Sequence, residues 1–132
     1  MDPRKILVVD DEPEFRDVLA ANLGRLGYAV TLAADGREAS VAIAASHFDL
    51  VITDLLMPDK EGLELIQELR RDNGSTRIIA MSGGGRNAST SYLDLARRFG
   101  AHAMLTKPFT STELVSAIDA ALSLRWLKPA SG

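Results

Sequence analysis

The sequence predicts an α/β fold in which helices cover both faces of a five-stranded parallel sheet. Short apolar segments alternate five times with longer segments whose apolar residues recur at helical spacing. The third short segment, Leu50-Val51-Ile52, is apolar without interruption, which is typical of a strand buried on both faces. Strict alternation of strands and helices implies right-handed crossovers and a single doubly wound domain.

The first half of the chain accounts for three strands and two helices. We predict strands at 5–9, 28–33 and 50–54. The first helix begins at about Pro13, which suits a first helical position, and stops at Gly27; the second is opened by Asp35-Gly36 and runs to about 46. The residues predicted to face the core from these helices are Phe15, Val18, Leu19, Leu23, Leu26, Ala39, Ala42 and Ile43.

The second half adds two strands and three helices. Strands are predicted at 77–81 and 102–106. The third helix is predicted at 62–72, and the fourth ends at Phe99, before Gly100. The fifth helix is predicted to be capped by Ser111 and to run to about 124. The predicted inward residues of these helices are Leu63, Ile66, Leu69, Tyr92, Leu95, Ala96, Phe99, Leu114, Ile118 and Leu122.

Length and composition restrict the function classes. The 132 residues suffice for one domain with a substantial core and not for two ordinary ones. The net charge of −3 argues against a general nucleic-acid binder, and the absence of cysteine excludes disulfides and cysteine-ligated metals. His47 and His102 stand alone. With no signal-peptide pattern and no apolar run near the roughly 18 residues of a membrane span, we expect a cytoplasmic protein without a membrane partner.

Polar side chains follow four of the predicted strands. Asp10 and Asp11 follow the first strand, Asp54 ends the third, Ser82 follows the fourth and Lys107 follows the fifth. The carboxyl ends of parallel strands share one edge of the sheet, where ligands bind in α/β folds. If the strand order is 2-1-3-4-5, as in the flavodoxin-like fold, the first and third strands flank the crevice, and three carboxylates converge there.

A cluster of carboxylates is costly unless a cation occupies it, and Mg²⁺ is the natural occupant when carboxylates, waters and phosphoryl oxygens are all available. Lys107 and Ser82 suit phosphoryl oxygens, and a carboxylate such as Asp54 is an established nucleophile that becomes an aspartyl phosphate. Each residue also has a simpler interpretation. Asp10 and Asp11 could cap the first helix, Ser82 could belong to a flexible loop, and Lys107 could merely end a strand. Their coincidence at one edge favours a site.

With these residues the chain resembles the receiver domains of two-component response regulators. The resemblance extends from Lys5 to about Leu124, so residues 1–124 are expected to form the receiver domain and residues 125–132 a tail. Three blocks match the family in order and spacing: Leu7-Val8-Val9-Asp10-Asp11-Glu12, Asp49-Leu50-Val51-Ile52-Thr53-Asp54-Leu55-Leu56-Met57-Pro58 and Leu105-Thr106-Lys107-Pro108-Phe109.

The resemblance implies a role for each site residue. Asp54 would accept a phosphoryl group from a histidine kinase or a histidine phosphotransfer protein. Magnesium would be bound by Asp11, Asp54 and the backbone carbonyl of Leu56, with Asp10 acting mainly through a metal-bound water.

The resemblance also implies a phosphorylation switch. Lys107 would contact the phosphoryl group, and Ser82 would move toward it, which would alter the face formed by the fourth helix, fifth strand and fifth helix. The bond from Lys107 to Pro108 would be cis. Met104 stands where the family usually has an aromatic residue, and the loop from 83 to 91 is rich in Gly, Ser and Asn, so we expect ordering of this loop to contribute to the output.

Two other functions compete with a stand-alone receiver that binds an unknown protein target. The chain could be the receiver of a longer regulator whose output domain lies elsewhere, and an exposed pair Trp126-Leu127 could mark a homodimer or partner contact. A magnesium-dependent phosphohydrolase is the third candidate, although Asp54 is followed by Leu55-Leu56 rather than by the Asp-x-Asp pattern of haloacid dehalogenases. We expect a signalling domain that is not an enzyme and does not contact nucleic acid directly.

Overall fold

The computed structural model describes residues 4–55, 62–72, 74–83 and 90–123. Five strands alternate with five helices in this part of the chain, as predicted. In chain order they are β1 Lys5–Val9, α1 Pro13–Arg25, β2 Ala29–Ala33, α2 Gly36–Ala45, β3 Leu50–Asp54, α3 Gly62–Asp72, β4 Arg77–Ser82, α4 Thr90–Phe99, β5 Ala103–Thr106 and α5 Ser111–Ser123.

The strands form one parallel sheet in the order β2-β1-β3-β4-β5, which confirms the doubly wound, flavodoxin-like prediction. The register aligns the carboxyl ends of the inner strands: Val9 lies opposite Thr53, Asp54 opposite Met81, and Ser82 opposite Thr106. The polar residues at these ends are therefore brought to one edge.

Each face of the sheet carries its own apolar layer. Alternate residues of β1 divide between them, because Leu7 and Val9 face the helices α2, α3 and α4, whereas Ile6 and Val8 face α1 and α5. Both layers consist of buried side chains, and each fully buried Leu or Ile stabilises the folded protein by about 1.5–3 kcal/mol relative to an exposed one. The two apolar layers thus fix the positions of the strands whose carboxyl ends bear the polar residues.

The contacting stripe of two helices differs from the prediction. In α1, Leu19 and Leu23 are buried, but Val18 is 62% and Leu26 is 49% exposed, because the helix contacts the sheet along a narrower stripe than its apolar pattern suggests. In α3, Leu65 is fully buried although it was not predicted to be. The side chains of Tyr92 and Leu95 lie outside the described part of the structure.

The residue that caps α5 also differs from the prediction. Thr110, and not Ser111, caps α5: its hydroxyl accepts a hydrogen bond from the Glu113 amide at 3.0 Å, and the Glu113 carboxylate accepts one from the Thr110 amide at 2.8 Å. Asp35 caps α2 as predicted, accepting from the Glu38 amide at 2.9 Å. None of the described helices is long and apolar enough to cross a membrane.

His102 has a structural role that the sequence did not indicate. Its backbone amide donates to the carbonyl of Ile78 at 2.7 Å, and its Nδ1 accepts from the Ile78 amide at 3.0 Å. The second ring nitrogen is 3.0 Å from Nη1 of Arg77. Burial and, after it, the charges of Arg70 and Arg77 lower the pKa of His102 to about 4. The imidazole is therefore neutral at pH 7, and it holds the start of β5 to β4.

Candidate functional site

Four strands deliver buried polar side chains to the same edge of the sheet. Asp10 follows β1 and is fully buried, Asp54 ends β3 with 7% of its surface exposed, and Ser82 ends β4 with 6% exposed. Lys107 directly follows β5, and its side chain is 12% exposed. Polar groups are rarely so buried without a partner or a function.

Lys107 connects the ends of three strands. Its Nζ lies 2.6 Å from Oδ2 of Asp10 and 3.2 Å from Oδ2 of Asp54, so one ammonium group joins both carboxylates. Oε1 of Glu12 lies 3.6 Å from the same nitrogen, although the Glu12 side chain is mostly exposed. A buried charge is stable only when it is paired in this manner.

The electrostatics of Lys107 follow from this geometry. Burial has the largest individual effect and lowers the pKa of Lys107, but the hydrogen bond to Asp10 and the negative charges of Asp54 and Asp10 together outweigh it and raise the pKa above its ordinary value. The side chain is therefore fully protonated at neutral pH, and it places a fixed positive charge beside Asp54.

Three acidic residues lie close enough to share a cation. Asp10, Asp11 and Asp54 each offer a carboxylate oxygen within 4.8 Å of the others. Asp10 and Asp54 are buried and Asp11 is exposed, so the set faces solvent on one side. Oxygen donors with room for water match the preferences of Mg²⁺. Leu56, the remaining predicted ligand, lies outside the described residues.

The backbone around Asp54 is fixed from two directions. The Leu55 amide donates to the carbonyl of Met81 at 2.9 Å, and the Gly62 amide donates to the carbonyl of Leu55 at 3.0 Å. Gly62 begins α3 so close to β3 that a Cβ atom there would overlap the carbonyl oxygen of Asp54 and lie 2.7 Å from the Cα of Leu55. Only glycine permits this approach, which sets the position of the Asp54 carboxylate.

Ser82 has a buried hydroxyl without a hydrogen-bond partner among the described residues. Its backbone carbonyl accepts a hydrogen bond from the Lys107 amide at 2.8 Å, so the end of β4 is tied to β5 while Oγ has no partner in the part of the chain that the structure describes. An unsatisfied buried hydroxyl costs about 1–3 kcal/mol, and such groups in native proteins call for an explanation. A ligand at this edge of the sheet would provide the missing partner.

Replacing Ser82 with alanine is therefore expected to raise the free energy of unfolding by about 0.5–1 kcal/mol, because an unsatisfied buried hydroxyl is removed. Urea denaturation measures this change. The matched control is Thr53→Val, since the hydroxyl of fully buried Thr53 donates to the carbonyl of Asp54 at 3.0 Å and its removal should cost about 1 kcal/mol. Equal destabilisation by the two substitutions would contradict the prediction.

The structure thus brings together the five described residues singled out in the sequence and adds three that were missed. Glu12 lies near the ammonium group, Gly62 supports Asp54, and Phe15 lies against Lys107. Glu12 follows the acidic pair directly in the sequence, but no local signal connects it with Lys107. A glycine at a helix start is a weak local signal, and nothing local identifies Phe15 as other than a core residue.

Comparisons with known proteins agree with this arrangement. A family model described as response regulator receiver domain matches residues 6–119. A CheY-like receiver domain protein from Methanospirillum hungatei is 28% identical, with a TM-score of 0.86 over 96% of this chain and 99% of that one. The response regulator TrrA from Thermotoga maritima, solved in complex with Mg²⁺-BeF, is 34% identical, with a TM-score of 0.78 over 88% and 96%.

A third structure belongs to a longer protein. NtrX from Brucella abortus is 30% identical and has a TM-score of 0.86; the match covers 95% of this chain but 28% of that one. The same fold is therefore found both in chains of similar length and as one part of a larger chain.

Proposed function

Because this chain belongs to the family of response regulator receiver domains, we propose that it accepts a phosphoryl group on Asp54 and thereby switches a protein-binding surface. One observation carries the proposal. The carboxylate of Asp54 lies at the carboxyl edge of the sheet and shares the ammonium group of Lys107 with fully buried Asp10. This arrangement supports the proposal because a carboxylate of the type that can act as a nucleophile lies beside a fixed positive charge and a second carboxylate.

The chemistry assigns one step to Asp54. A carboxylate oxygen attacks the phosphorus of a phosphohistidine; the new P–O bond forms as the P–N bond breaks, and the departing imidazole takes up a proton. Lys107 binds an oxygen of the transferred group, and its charge offsets the negative charge that gathers there. Attack of water on the aspartyl phosphate then releases phosphate and restores the carboxylate. Receiver domains are signalling domains, and we propose this self-directed chemistry as the only reaction here.

A divalent cation fits the donor set. Asp10, Asp11 and Asp54 would hold Mg²⁺, and we propose the backbone carbonyl of Leu56 as a further ligand. Bound there, Mg²⁺ supplies positive charge that reduces the repulsion between the carboxylates and an incoming phosphoryl group. The solved complex of TrrA with Mg²⁺-BeF supports the same choice of ion.

Ser82 is the proposed link from the site to the surface. Its hydroxyl, which has no partner among the described residues, would hydrogen-bond a phosphoryl oxygen, and its carbonyl already accepts a hydrogen bond from the amide of Lys107. Beyond it, α4, β5 and α5 border a groove of about 640 Å³ whose lining includes Arg97, Met104 and Phe109. Met104 is partly buried, so its flexible side chain would respond to movement of Ser82 in place of an aromatic ring.

The partners follow from the proposed reaction. A histidine kinase or a histidine phosphotransfer protein would supply the phosphoryl group, and a protein target would recognise the groove. We propose residues 1–124 as the receiver unit and residues 125–132 as a tail. The tail lies outside the described residues. Residues 84–89, in the loop predicted to contribute to the output, also lie outside them. The match to one part of the longer NtrX favours, as a second possibility, a receiver that works within a larger regulator.

The test is phosphoryl incorporation by the wild-type protein and by Asp54→Asn. Each is incubated with a small acyl phosphate, with and without Mg²⁺, and its intact mass is recorded over time. We expect the wild type to gain one phosphoryl group only with Mg²⁺, and the variant to gain none, because an amide cannot serve as the nucleophile. Incorporation by Asp54→Asn at the wild-type rate would refute the assignment of Asp54.

Released phosphate is measured in the same samples. Release that continues through many equivalents without a mass change in the wild type would favour the phosphohydrolase alternative. Release limited by the lifetime of an observed adduct would support the receiver assignment.

A further inference from the structure

The ammonium group of Lys107 lies against an aromatic ring as well as among carboxylates. Its Nζ is 4.4 Å from the centroid of the Phe15 ring, well within the roughly 6 Å over which a cation and a ring face attract each other. Phe15 belongs to the first turn of α1 and is half-buried. The rings of Phe15 and Phe109 form a T-shaped pair, with 5.7 Å between the centroids and 88° between the planes, a geometry that aromatic rings favour.

The ring differs in kind from the other partners of Lys107. Asp10 and Asp54 hold the ammonium group most closely, yet both also belong to the candidate metal set. A cation bound there would draw on the same carboxylate charge. A phenyl ring offers no oxygen ligand to a hard cation, so its attraction for the ammonium group is not shared.

We infer that Phe15 is a positioning residue that keeps Lys107 beside Asp54 while the carboxylates are shared with Mg²⁺. The inference rests on the function proposed above and adds to it a partner outside the carboxylate set. It assigns Phe15 no direct contact with the phosphoryl group, because the ring acts only through the ammonium group. Phe109, from the segment after β5, supports the ring through an aromatic contact.

A packing role has to be separated from this positioning role. Phe15 also contacts the apolar layer under α1 and α5, so any smaller residue there loses buried surface. Tyr28 packs against the same layer, and in the described structure its ring makes no cation–π contact with Lys107. Tyr28→Leu is therefore the control for the loss of a half-buried aromatic ring, Phe15→Leu removes the ring face, and Phe15→Trp restores one.

The first measurement needs no phosphorylation. In protein with ¹³C-labelled lysine, the side-chain methylene protons of Lys107 should be shifted upfield by the ring current of Phe15, both without Mg²⁺ and at saturating Mg²⁺. Lys107→Met identifies the resonances. The upfield shift should disappear in Phe15→Leu and persist in Phe15→Trp and Tyr28→Leu. Wild-type resonances at unshifted positions, or shifts unchanged in Phe15→Leu, would overturn the inference.

The second measurement is the rate of phosphoryl incorporation from a small acyl phosphate at saturating Mg²⁺. We expect Phe15→Leu to be about three- to tenfold slower, as befits the loss of one partly desolvated cation–π contact, and Phe15→Trp and Tyr28→Leu to stay within about twofold of the wild type. Equal slowing by Phe15→Leu and Tyr28→Leu would assign the effect to packing and overturn the inference. If the wild type acquires no phosphoryl group while the methylene shifts behave as expected, the proposed function fails and the ring contact stands.

Discussion

Lys107→Met is expected to lower the free energy of unfolding by about 3 kcal/mol when no divalent cation is present. The substitution removes the ammonium group from fully buried Asp10 and nearly buried Asp54. Breaking a buried ion pair costs about 3–5 kcal/mol, because the remaining charge is left without compensation, and access of water at the sheet edge places the expected value at the lower end. Urea denaturation in the presence of a chelator gives the measurement.

Magnesium and pH make this prediction more specific. Mg²⁺ should stabilise Lys107→Met more than the wild type, because the cation would replace the lost positive charge at the carboxylates. The pKa of Lys107 is raised in the folded protein, so its contribution is complete below its ordinary pKa of 10.5 and is lost only as the pH rises through the raised value. The difference between the two proteins should therefore not vary between pH 7 and 9.

The control for Lys107→Met is Lys5→Met. Lys5 is exposed and also lies over a ring, with its Nζ 5.6 Å from the centroid of Phe48, but it pairs with no buried carboxylate through its side chain in the described structure. Its replacement should change the free energy of unfolding by less than about 0.5 kcal/mol. Adding Asp10→Asn to Lys107→Met should recover most of the loss. A loss in Lys107→Met no greater than in Lys5→Met would show that the buried pair does not stabilise the fold.

Gly62→Ala is expected to lower the free energy of unfolding by about 3 kcal/mol and to slow phosphoryl incorporation at least about tenfold. The added Cβ would overlap the carbonyl oxygen of Asp54, and backbone cannot move aside as a flexible side chain can. Either α3 retreats from the sheet or the end of β3 shifts, and both displace the Asp54 carboxylate from the charge of Lys107. Urea denaturation and intact-mass kinetics measure the two effects.

Gly24→Ala is the matched control within a helix. Gly24 lies in α1, and a Cβ there would meet no atom within 4 Å. Alanine should therefore stabilise the protein by about 0.5–1 kcal/mol through its helix propensity and should leave phosphoryl incorporation unchanged. If Gly62→Ala also proved stabilising, the close approach of α3 to β3 would not be a constraint on the site.

The sheet and the convergence of its polar residues were predictable because they depend on periodic and topological rules. Apolar runs marked the strands, and parallel strands with right-handed crossovers place their carboxyl ends at one edge. Asp10, Asp54, Ser82 and Lys107 could therefore be assigned to one edge before any distance was known. The distances themselves, and the choice of Asp10 as the closest partner of Lys107, depend on side-chain packing that no local pattern encodes.

Other features were not predictable for specific physical reasons. Helical periodicity gives the direction of an apolar stripe but not its width, so Val18 and Leu26 were wrongly expected to be buried. Thr110 and Ser111 are both good capping residues, and only the backbone decides which hydroxyl reaches the Glu113 amide. Phe15 and Lys107 meet across distant parts of the chain, and an aromatic residue at helical spacing is ordinarily a core residue.

The imidazole of His102 acts as one additional rung of the ladder between β4 and β5. Its Nδ1 accepts a hydrogen bond from the Ile78 amide just before the first residue of β5, Ala103, and β5 itself has only four residues. Protonation would turn this acceptor into a donor facing the Ile78 amide. The stability that the neutral ring provides is complete above its ordinary pKa of 6.5 and is lost as the pH falls toward about 4. Acid would thus fray β5 from its amino end, at the end of the sheet opposite Asp54, and would loosen one wall of the groove.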